Sequence, residues 1–298
     1  MLALQGAFTA IVTPFDPSGK VDEAALDALV DRQVQGGIAG VVPVGTTGES
    51  PTLEGDEAIG VVARVHKRVA GRCKVIAGTG SNSTRHAAAM SRRAAEVGVD
   101  AVMIVMPYYN KPTQAGLVEH VKQVAAAVPK TPVILYNVPG RTASDLLPDA
   151  VEAICKACPN VVAIKEATGN IVRAQELVRR LGDRLTVLSG DDALTLGMMA
   201  CGAKGVISVT SNVLPQQVQE VCALALAGKW EQAKKAHLQL LPVHDAMFLE
   251  SNPGPVKGAL VDLGLIQPIV RPPLVMPTEA TRARVREIVA SYRAARGA

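Results

Sequence analysis

Residues 132–168 read PVILYNVPGRTASDLLPDAVEAICKACPNVVAIKEAT and contain the unit from which the fold is built. Two apolar runs, PVILYNVP and VVAIKEAT, have the length and β-branched content of strands that are buried on both faces. Between them, DAVEAICKAC has apolar residues at three-to-four spacing, which indicates a helix. This order predicts two parallel strands joined by a right-handed crossover.

The same unit recurs along the chain. Apolar runs begin at Phe8, Gly40, Lys74, Ala101, Pro132, Val161, Leu185 and Gly205, with helix-like segments between them. Such units, repeating every 20 to 33 residues or so, predict an α/β fold, a (β/α)8 TIM barrel. We assign residues 1–227 to the barrel domain and residues 228–298 to a C-terminal helical region. An open doubly wound sheet is disfavoured because no GxGxxG opens the first helix and no GxxxxGK[ST] loop occurs.

Composition excludes several classes of protein. Of the 298 residues, 48% are hydrophobic and 19% are charged, and the net charge of +4 is spread without a basic run. We therefore expect a globular protein with no nucleic-acid partner. We also expect no membrane association and a cytoplasmic location, because no signal peptide or apolar stretch of about 18 residues is present. The five irregularly spaced cysteines indicate reduced thiols, and the CxxC pair Cys155 and Cys158 is interpreted as inert packing.

Barrel enzymes carry their active sites at the carboxyl ends of the strands, so polar residues there are the functional candidates. None of the five histidines lies at a strand end, and we therefore predict no metal site. We also predict no cofactor, since no Gly-rich phosphate cradle for pyridoxal phosphate follows strand seven or eight. The candidates are Thr13, Gly45, Thr46, Thr47, Gly48, Glu49, Thr79, Tyr108, Tyr109, Tyr136, Asn137, Lys165, Glu166, Asp191 and Ser208.

Lys165 ends an apolar run, where a cation is unusual. Strand side chains alternate in direction, so an inward Lys165 predicts Val161 and Ala163 inward beneath it and Glu166 facing the helices. An amine with little hydration and no paired carboxylate is more readily neutral, and a neutral amine attacks a ketone to form a Schiff base. The alternative is a lysine that snorkels at the barrel rim or neutralises a carboxylate.

Other strand-end residues suit proton transfer and carboxylate binding. Tyr136 ends the run before Lys165, and its phenol, with Thr46 and Tyr109, could relay protons during imine formation. Alternatively, Tyr136 is a core aromatic and Tyr109 a loop or subunit contact. Thr46 and Thr47 either cap the next helix or bind a small carboxylate. Arg141, directly after the fifth run, either grips a carboxylate bidentately or is a solvated loop residue.

A further acidic pair, Asp191 and Asp192, follows the seventh run in LSGDDALTLG. We expect these carboxylates to cap a helix rather than to bind a metal ion.

The residues then resemble the dihydrodipicolinate synthase (4-hydroxy-tetrahydrodipicolinate synthase) family, within the Schiff-base-forming, pyruvate-dependent aldolases. The likeness spans nearly the whole chain. The motifs that carry it are VGTTGESPTL, IAGTGSNST, MPYYNKPTQAGL, ILYNVPGRT, AIKEATGN, LSGDD, GVISVTSN and NPGPVKGAL, all in the family's order.

The resemblance implies roles for the strand-end residues. Lys165 would form the imine with pyruvate, and Thr46, Tyr109 and Tyr136 would relay protons. The family's residue matching Tyr109 crosses a subunit interface, which implies at least a dimer, and a homotetramer is the family's usual assembly.

The resemblance also implies how the substrates bind. Thr47 would hold the pyruvate carboxylate, Gly190 and Ile207 would line the site through backbone groups, and Arg141 would receive the carboxylate of L-aspartate 4-semialdehyde. The alternatives are an N-acetylneuraminate lyase or 2-keto-3-deoxy sugar-acid aldolase, which share the lysine and tyrosine. A non-catalytic pyruvate-binding protein on the same scaffold is a further alternative.

One departure from the family concerns feedback by lysine. Ser50, Asn82 and Tyr108 match the family's effector-site residues. Many lysine-inhibited members carry histidines and a glutamate at three further positions, where this chain instead has Gly55, Ala58 and His86. The missing carboxylate would meet the amine of the effector, so we expect lysine inhibition to be weak or absent.

Overall fold

A computed structural model describes residues 3–182 and 184–296, and its centre is a closed barrel of eight parallel strands in sequence order. The strands are β1 (Gly6–Thr9), β2 (Gly40–Val41), β3 (Lys74–Gly78), β4 (Ala101–Val105), β5 (Val133–Asn137), β6 (Val161–Glu166), β7 (Thr186–Ser189) and β8 (Gly205–Ser208). The predicted TIM barrel is confirmed. The first strand ends at Thr9, before the end of its apolar run, and Phe15 at the end of that run forms an antiparallel bridge with Val21.

Helices follow the strands around the barrel. Their bounds are α1 (Glu23–Gln35), α2 (Gly55–Val69), α3 (Thr84–Val97), α4 (Gln114–Ala127), α5 (Pro139–Thr142), α6 (Pro148–Ala157), α7 (Ile171–Leu181), α8 (Thr195–Ala200) and α9 (Pro215–Leu226). Side chains of Asp22, Ser83, Thr113 and Asn170 accept hydrogen bonds from the first-turn N–H groups of α1, α3, α4 and α7. Such caps satisfy donors that have no partner within the helix, and so fix where each helix begins.

Two apolar cores result from the alternation of strand side chains. One lies inside the barrel and contains Phe8, Val42, Ile76, Met103, Ile134, Tyr136, Ala163, Leu188 and Ile207. The other lies between the strands and the helices, where Ile164 and Leu135 pack. Neighbouring residues of one strand therefore serve different cores, and the upper end of the inner core is the floor of the barrel mouth.

A β-bulge in β6 changes the predicted direction of one side chain. Val133 pairs with Val161, but the next residue of β5, Ile134, pairs with Ala163, so that Val162 is an extra residue. Ala163 packs inside the barrel as expected, whereas Val161 belongs to the outer core. The prediction that Val161 points inward is therefore wrong, because the bulge interrupts the strict alternation.

The barrel closes where β8 pairs with β1, with Gly6 opposite Gly205 and Thr9 opposite Ser208. A Cβ atom on Gly205 would lie 1.9 Å from the carbonyl oxygen of Gly6. Such a Cβ atom would overlap that oxygen, so the two main chains can lie this close together only because residue 205 has no side chain. Glycine at this position therefore permits closure.

The chain after the barrel forms α10 (Trp230–Ala246), α11 (Gly254–Asp262) and α12 (Glu279–Arg296). Helix α10 packs against α9 and α12, and α11 packs against α12. The boundary at residue 227 between a barrel domain and a helical region stays a prediction. No helix in the described part of the chain is long and apolar enough to cross a membrane.

Candidate active site

A cavity of about 360 Å³ opens at the carboxyl ends of the strands. Residues at or after the ends of β2, β5, β6, β7 and β8 form its walls, together with residues from α10 and the loop that follows. The lining residues are Thr46, Thr47, Tyr136, Val138, Arg141, Lys165, Ala167, Gly190, Asp191, Ala193, Val209, His244, Asp245, Phe248 and Asn252. The structure thus brings together seven of the residues predicted from the sequence: Lys165, Tyr136, Thr46, Thr47, Arg141, Gly190 and Asp191.

Lys165 lies at the floor of this cavity and is only 5% exposed. It is opposite Tyr136 in the register of β5 and β6, and its Nζ atom lies 4.2 Å from the centroid of the tyrosine ring. The ring face stabilises a cation without binding it covalently or accepting its proton. Lys165 belongs to no ion pair among the described residues. The amine is therefore free of a carboxylate that would hold it in its charged form.

The neighbouring carboxylate of Glu166 faces away from the cavity, as the alternation predicts. Its oxygens accept hydrogen bonds from the Thr168 N–H group at 2.8 Å and from Asn137 Nδ2 at 3.4 Å. Burial raises the pKa of Glu166, while those hydrogen bonds and the charge of Arg173 act in the opposite direction. Glu166 thus supports the loop after β6 and does not pair with Lys165.

Gly190 leaves room for the lysine chain. A Cβ atom at this position would lie 2.5 Å from Ala167 Cβ and 3.1 Å from Lys165 Cε. The first distance is far below any normal contact between carbon atoms. A larger residue would therefore displace either the lysine or the loop after β6, which explains glycine at the end of β7.

The loop after β2 presents two threonines to the cavity. Thr47 is 2% exposed, and its Oγ1 atom accepts a hydrogen bond from Asn252 Nδ2 at 3.1 Å. Helix α2 begins after Glu54 and has no side-chain cap, so the threonines do not serve as its cap. Their hydroxyl and N–H groups suit the binding of a small carboxylate.

Arg141 also lines the cavity and lies in the short helix α5. Its Nη2 atom donates a hydrogen bond of 3.4 Å to the Asn252 carbonyl oxygen, and the residue as a whole is exposed. A long bond to one carbonyl leaves most of its donors for an anion. Two basic side chains, Lys165 and Arg141, and two acidic side chains, Asp191 and Asp245, line the cavity.

The C-terminal part of the chain supplies cavity residues that the strand-end rule missed. His244, Asp245 and Phe248 come from α10 and its end, and Asn252 comes from the loop before α11. His244 Nδ1 lies 2.9 Å from Thr210 Oγ1, and burial lowers the pKa of His244. These residues follow the last strand, so no barrel period identifies them. Asn252 has two local signals: it opens the family motif NPGPVKGAL, and with Pro253 it forms an Asn–Pro pair, which is typical of a turn.

The acidic pair after β7 does not cap α8, contrary to expectation. Helix α8 follows Leu194 and has no side-chain cap. Asp192 Oδ2 instead accepts hydrogen bonds from the Val209 and Thr210 N–H groups, at 2.9 and 3.1 Å. Asp191 binds the Ala193 N–H group within its own loop. Val209 and Thr210 follow β8, the strand next to β7. Asp192 reaches them because adjacent strands of the barrel bring the loops at their carboxyl ends together.

Two of the residues predicted to have a catalytic or substrate-binding role, Ile207 and Tyr109, do not line the cavity. Ile207 is completely buried in the inner core of the barrel. Tyr109 is 89% exposed and has a left-handed backbone, with φ of 73°. In a single chain its phenol does not line the cavity.

A second cavity, of about 390 Å³, adjoins the first at Thr46, Val138 and Arg141. Ser50, Tyr108 and His86 line it, whereas Gly55 and Ala58 do not. Asn82 lies nearby in the chain, and its carbonyl oxygen accepts a hydrogen bond from Asn110 Nδ2 at 3.0 Å. Two of the three residues proposed to bind an effector, Ser50 and Tyr108, therefore line one cavity.

The two cysteines of the CxxC pair have the environment of packed side chains rather than of reactive thiols. Burial raises the pKa of Cys155 to about 11 and also raises the pKa of Cys158, which leaves both thiols protonated at neutral pH. Within residues 3–182 and 184–296, no three His, Cys, Asp or Glu side chains form a cluster that could hold a metal ion.

Known proteins resemble this chain along nearly its whole length. The Dihydrodipicolinate synthetase family matches residues 3–292. A 4-hydroxy-tetrahydrodipicolinate synthase from Sorangium cellulosum is 57% identical over 100% of this chain and 99% of the relative, and one from Halorhodospira halophila is 49% identical over 96% of each. The crystal structure of dihydrodipicolinate synthase from Aquifex aeolicus superposes with a TM-score of 0.95 at 45% identity, covering 97% of this chain and 98% of that one.

Proposed function

Because the chain belongs to the Dihydrodipicolinate synthetase family, we propose that its barrel-mouth cavity condenses pyruvate with L-aspartate 4-semialdehyde through a Schiff base on Lys165. The chain is an enzyme, a lyase of the 4-hydroxy-tetrahydrodipicolinate synthase type in the diaminopimelate route to lysine. The observation that carries the proposed chemistry is the buried, carboxylate-free Lys165 amine 4.2 Å from the Tyr136 ring centroid.

The first step joins pyruvate to the enzyme. The neutral Lys165 amine attacks the ketone carbon, and the resulting carbinolamine loses water to give the imine. Dehydration needs a proton on the leaving oxygen, and the Tyr136 phenol and Thr46 hydroxyl are the groups that relay it. Thr47 binds the pyruvate carboxylate through its hydroxyl and N–H groups, next to the backbone of Gly190, while Ile207 lies in the inner core and not at the cavity surface.

The second step makes the carbon–carbon bond. The imine loses a proton from the pyruvate methyl group and becomes an enamine. The enamine attacks the aldehyde carbon of the second substrate, and the aldehyde oxygen takes up a proton. Arg141 holds the carboxylate of that substrate by charge-assisted hydrogen bonds. The substrate's amino group then attacks the imine carbon, closes the ring and expels the Lys165 amine. One water is released overall, and no oxidant or cofactor is consumed.

The assembly is also part of the proposal. Within one chain Tyr109 is exposed and does not line the cavity. We propose that Tyr109 of the partner subunit completes the proton relay. At least a dimer is then needed, and we propose a homotetramer. Analytical ultracentrifugation at assay concentrations tests this, since a fully active monomer would exclude a relay residue from a second subunit. We further propose a cytoplasmic location, supported by five free cysteines, which cell fractionation can test.

A coupled assay tests the substrate assignment. Purified protein is supplied with pyruvate and L-aspartate 4-semialdehyde, and in parallel with N-acetylneuraminate and 2-keto-3-deoxy sugar acids. We expect turnover with the semialdehyde alone. Turnover only with a sugar acid would move the enzyme to one of the relatives that share its lysine and tyrosine. Binding of pyruvate without any turnover would instead support a non-catalytic scaffold.

Replacing Arg141 by Ala should separate the two substrates. We expect kcat/KM for the semialdehyde to fall by about 10- to 100-fold, because one charge-assisted contact with its carboxylate is lost. Pyruvate imine formation, followed as the borohydride-reduced adduct by mass spectrometry, should persist. An exposed arginine of α12 is the control, and Arg284→Ala should change neither quantity. An unchanged kcat/KM in Arg141→Ala would contradict the proposed role.

Lysine is expected to inhibit weakly or not at all. Gly55 and Ala58 stand where lysine-inhibited relatives of the family often have larger polar side chains, and no carboxylate of the described residues lines the second cavity. The ammonium group of the effector would then lie there without a counter-charge. Initial rates at increasing lysine test this expectation, and half-maximal inhibition at micromolar lysine would refute it.

A further inference from the structure

An ion pair between the C-terminal region and the barrel is completely buried. Lys257 Nζ in α11 lies 2.5 Å from Glu49 Oε1, and neither side chain is exposed. The same Nζ atom donates to the Thr13 carbonyl oxygen at 2.9 Å and lies 4.5 Å from the centroid of the Phe15 ring. The other carboxylate oxygen of Glu49 accepts from the Arg271 N–H group at 3.0 Å. Both charges are therefore fully partnered within the fold.

This pair holds the end of the loop that carries Thr46 and Thr47. Glu49 has a left-handed backbone, with φ of 58°, and its N–H group donates to the Thr46 carbonyl oxygen at 3.1 Å. Thr13 Oγ1 donates to the Gly48 carbonyl oxygen at 2.7 Å. Lys257 thus binds the main chain of Thr13 and the side chain of Glu49, the two residues that secure the loop. A left-handed residue other than glycine keeps this conformation only where its surroundings impose it.

The segment that leads into α11 contacts the same loop a second time. Asn252 donates to Thr47 Oγ1 at 3.1 Å, and its carbonyl oxygen accepts from Arg141. Both contacts lie within six residues of Lys257 in the chain. The C-terminal region therefore contacts the threonine loop, residues 45–49 after β2, at two places: Thr47 and Glu49.

The chemistry of the pair favours a geometric role over a stabilising one. Burial lowers the pKa of Lys257, while the charge of Glu49 acts in the opposite direction. Taking two charges out of water costs free energy that their attraction only partly offsets, and apolar side chains of the same size often stabilise a protein as well. A charged pair, unlike an apolar one, fixes direction and distance through its hydrogen bonds.

We propose that Lys257, acting through Glu49, is a positioning residue that holds Thr46 and Thr47 in their catalytic places over Lys165. The inference rests on the proposed function and deepens it. Helix α11, which lies outside the barrel, is then a working part of the active site. The contact determines how well the hydroxyls meet pyruvate, because displacements of about 1 Å at such a site can lower rates by on the order of 100-fold.

The test compares Lys257→Met with the double variant Glu49→Gln, Lys257→Met. The single change leaves a buried carboxylate without its partner and should lower the Tm, whereas the double change removes both charges and should recover most of it. For both variants we expect kcat to fall and KM for pyruvate to rise, with kcat/KM for pyruvate lowered by about 10- to 100-fold. KM for the semialdehyde should stay within about twofold, because Arg141 is not held by Lys257.

A control in the same helix isolates geometry from stability. Asp262 of α11 pairs with Arg282 at 2.5 Å and is 11% exposed, but it does not contact the threonine loop. Asp262→Asn should lower the Tm and leave the kinetic constants unchanged. Wild-type kcat and KM in the folded double variant would overturn the proposal. That failure differs from a failure of the proposed function, in which the wild-type protein would give no pyruvate adduct on Lys165 after borohydride reduction.

Discussion

Lys165→Met is expected to abolish the reduced pyruvate adduct and to lower turnover by on the order of 10⁴-fold or more, as removal of a covalent nucleophile does in other enzymes. Methionine keeps most of the apolar stem and removes only the amine. Since that amine is buried and has no carboxylate partner among the described residues, its removal should not lower the Tm. Borohydride trapping with mass spectrometry, the coupled assay and thermal unfolding give the three measurements.

The control for this variant is Lys204→Met, which changes an exposed lysine just before β8. It should form the adduct and turn over at the wild-type rate. If Lys165→Met still formed a pyruvate adduct, the imine would be on another lysine and the proposed mechanism would be wrong. A large fall in Tm would instead show that the amine has a stabilising partner beyond the Tyr136 ring.

Tyr136→Phe is expected to lower kcat by about 10²- to 10³-fold, within the usual range for loss of a general acid–base group. The phenyl ring should remain over Lys165, so the cavity keeps its shape while the hydroxyl is lost. Imine formation should be slower but complete, because the nucleophile is intact. Stopped borohydride trapping at increasing times measures that rate separately from turnover.

A second buried tyrosine provides the control. Tyr292 in α12 is 8% exposed, and Tyr292→Phe removes a hydroxyl from a position outside the cavity. Its effect on kcat should be negligible. A Tyr136→Phe enzyme with kcat within about twofold of wild type would remove the phenol from the relay and leave the ring as a packing group.

The barrel and the position of its central lysine follow from local sequence pattern. Eight apolar runs separated by helical segments predicted the eight parallel strands, and the alternation within VVAIKEAT predicted Lys165 above Ala163. The same alternation failed for Val161, because a bulge adds one residue to β6. Nothing in two adjacent valines indicates which of them is the extra residue, since that depends on the pairing with β5.

The family resemblance added substrates and residue roles that physical reasoning from the residues left open. Alternation and chemistry selected a lysine and a tyrosine, which several pyruvate aldolases share. The motifs around them identified the family, and the relatives named above belong to it.

The sequence by itself determined the order of the elements, the end of the barrel that carries the site, and the residue with the reactive amine. These features are local, since they depend on side-chain period and on the spacing of neighbouring runs. Only the tertiary structure decided which distant residues complete the site. Asn252 reaches Thr47 across 205 positions, and Lys257 reaches Glu49 across 208. Such contacts arise when α11 packs over the barrel mouth. The sequence pattern of one segment does not indicate which distant segment will pack on it.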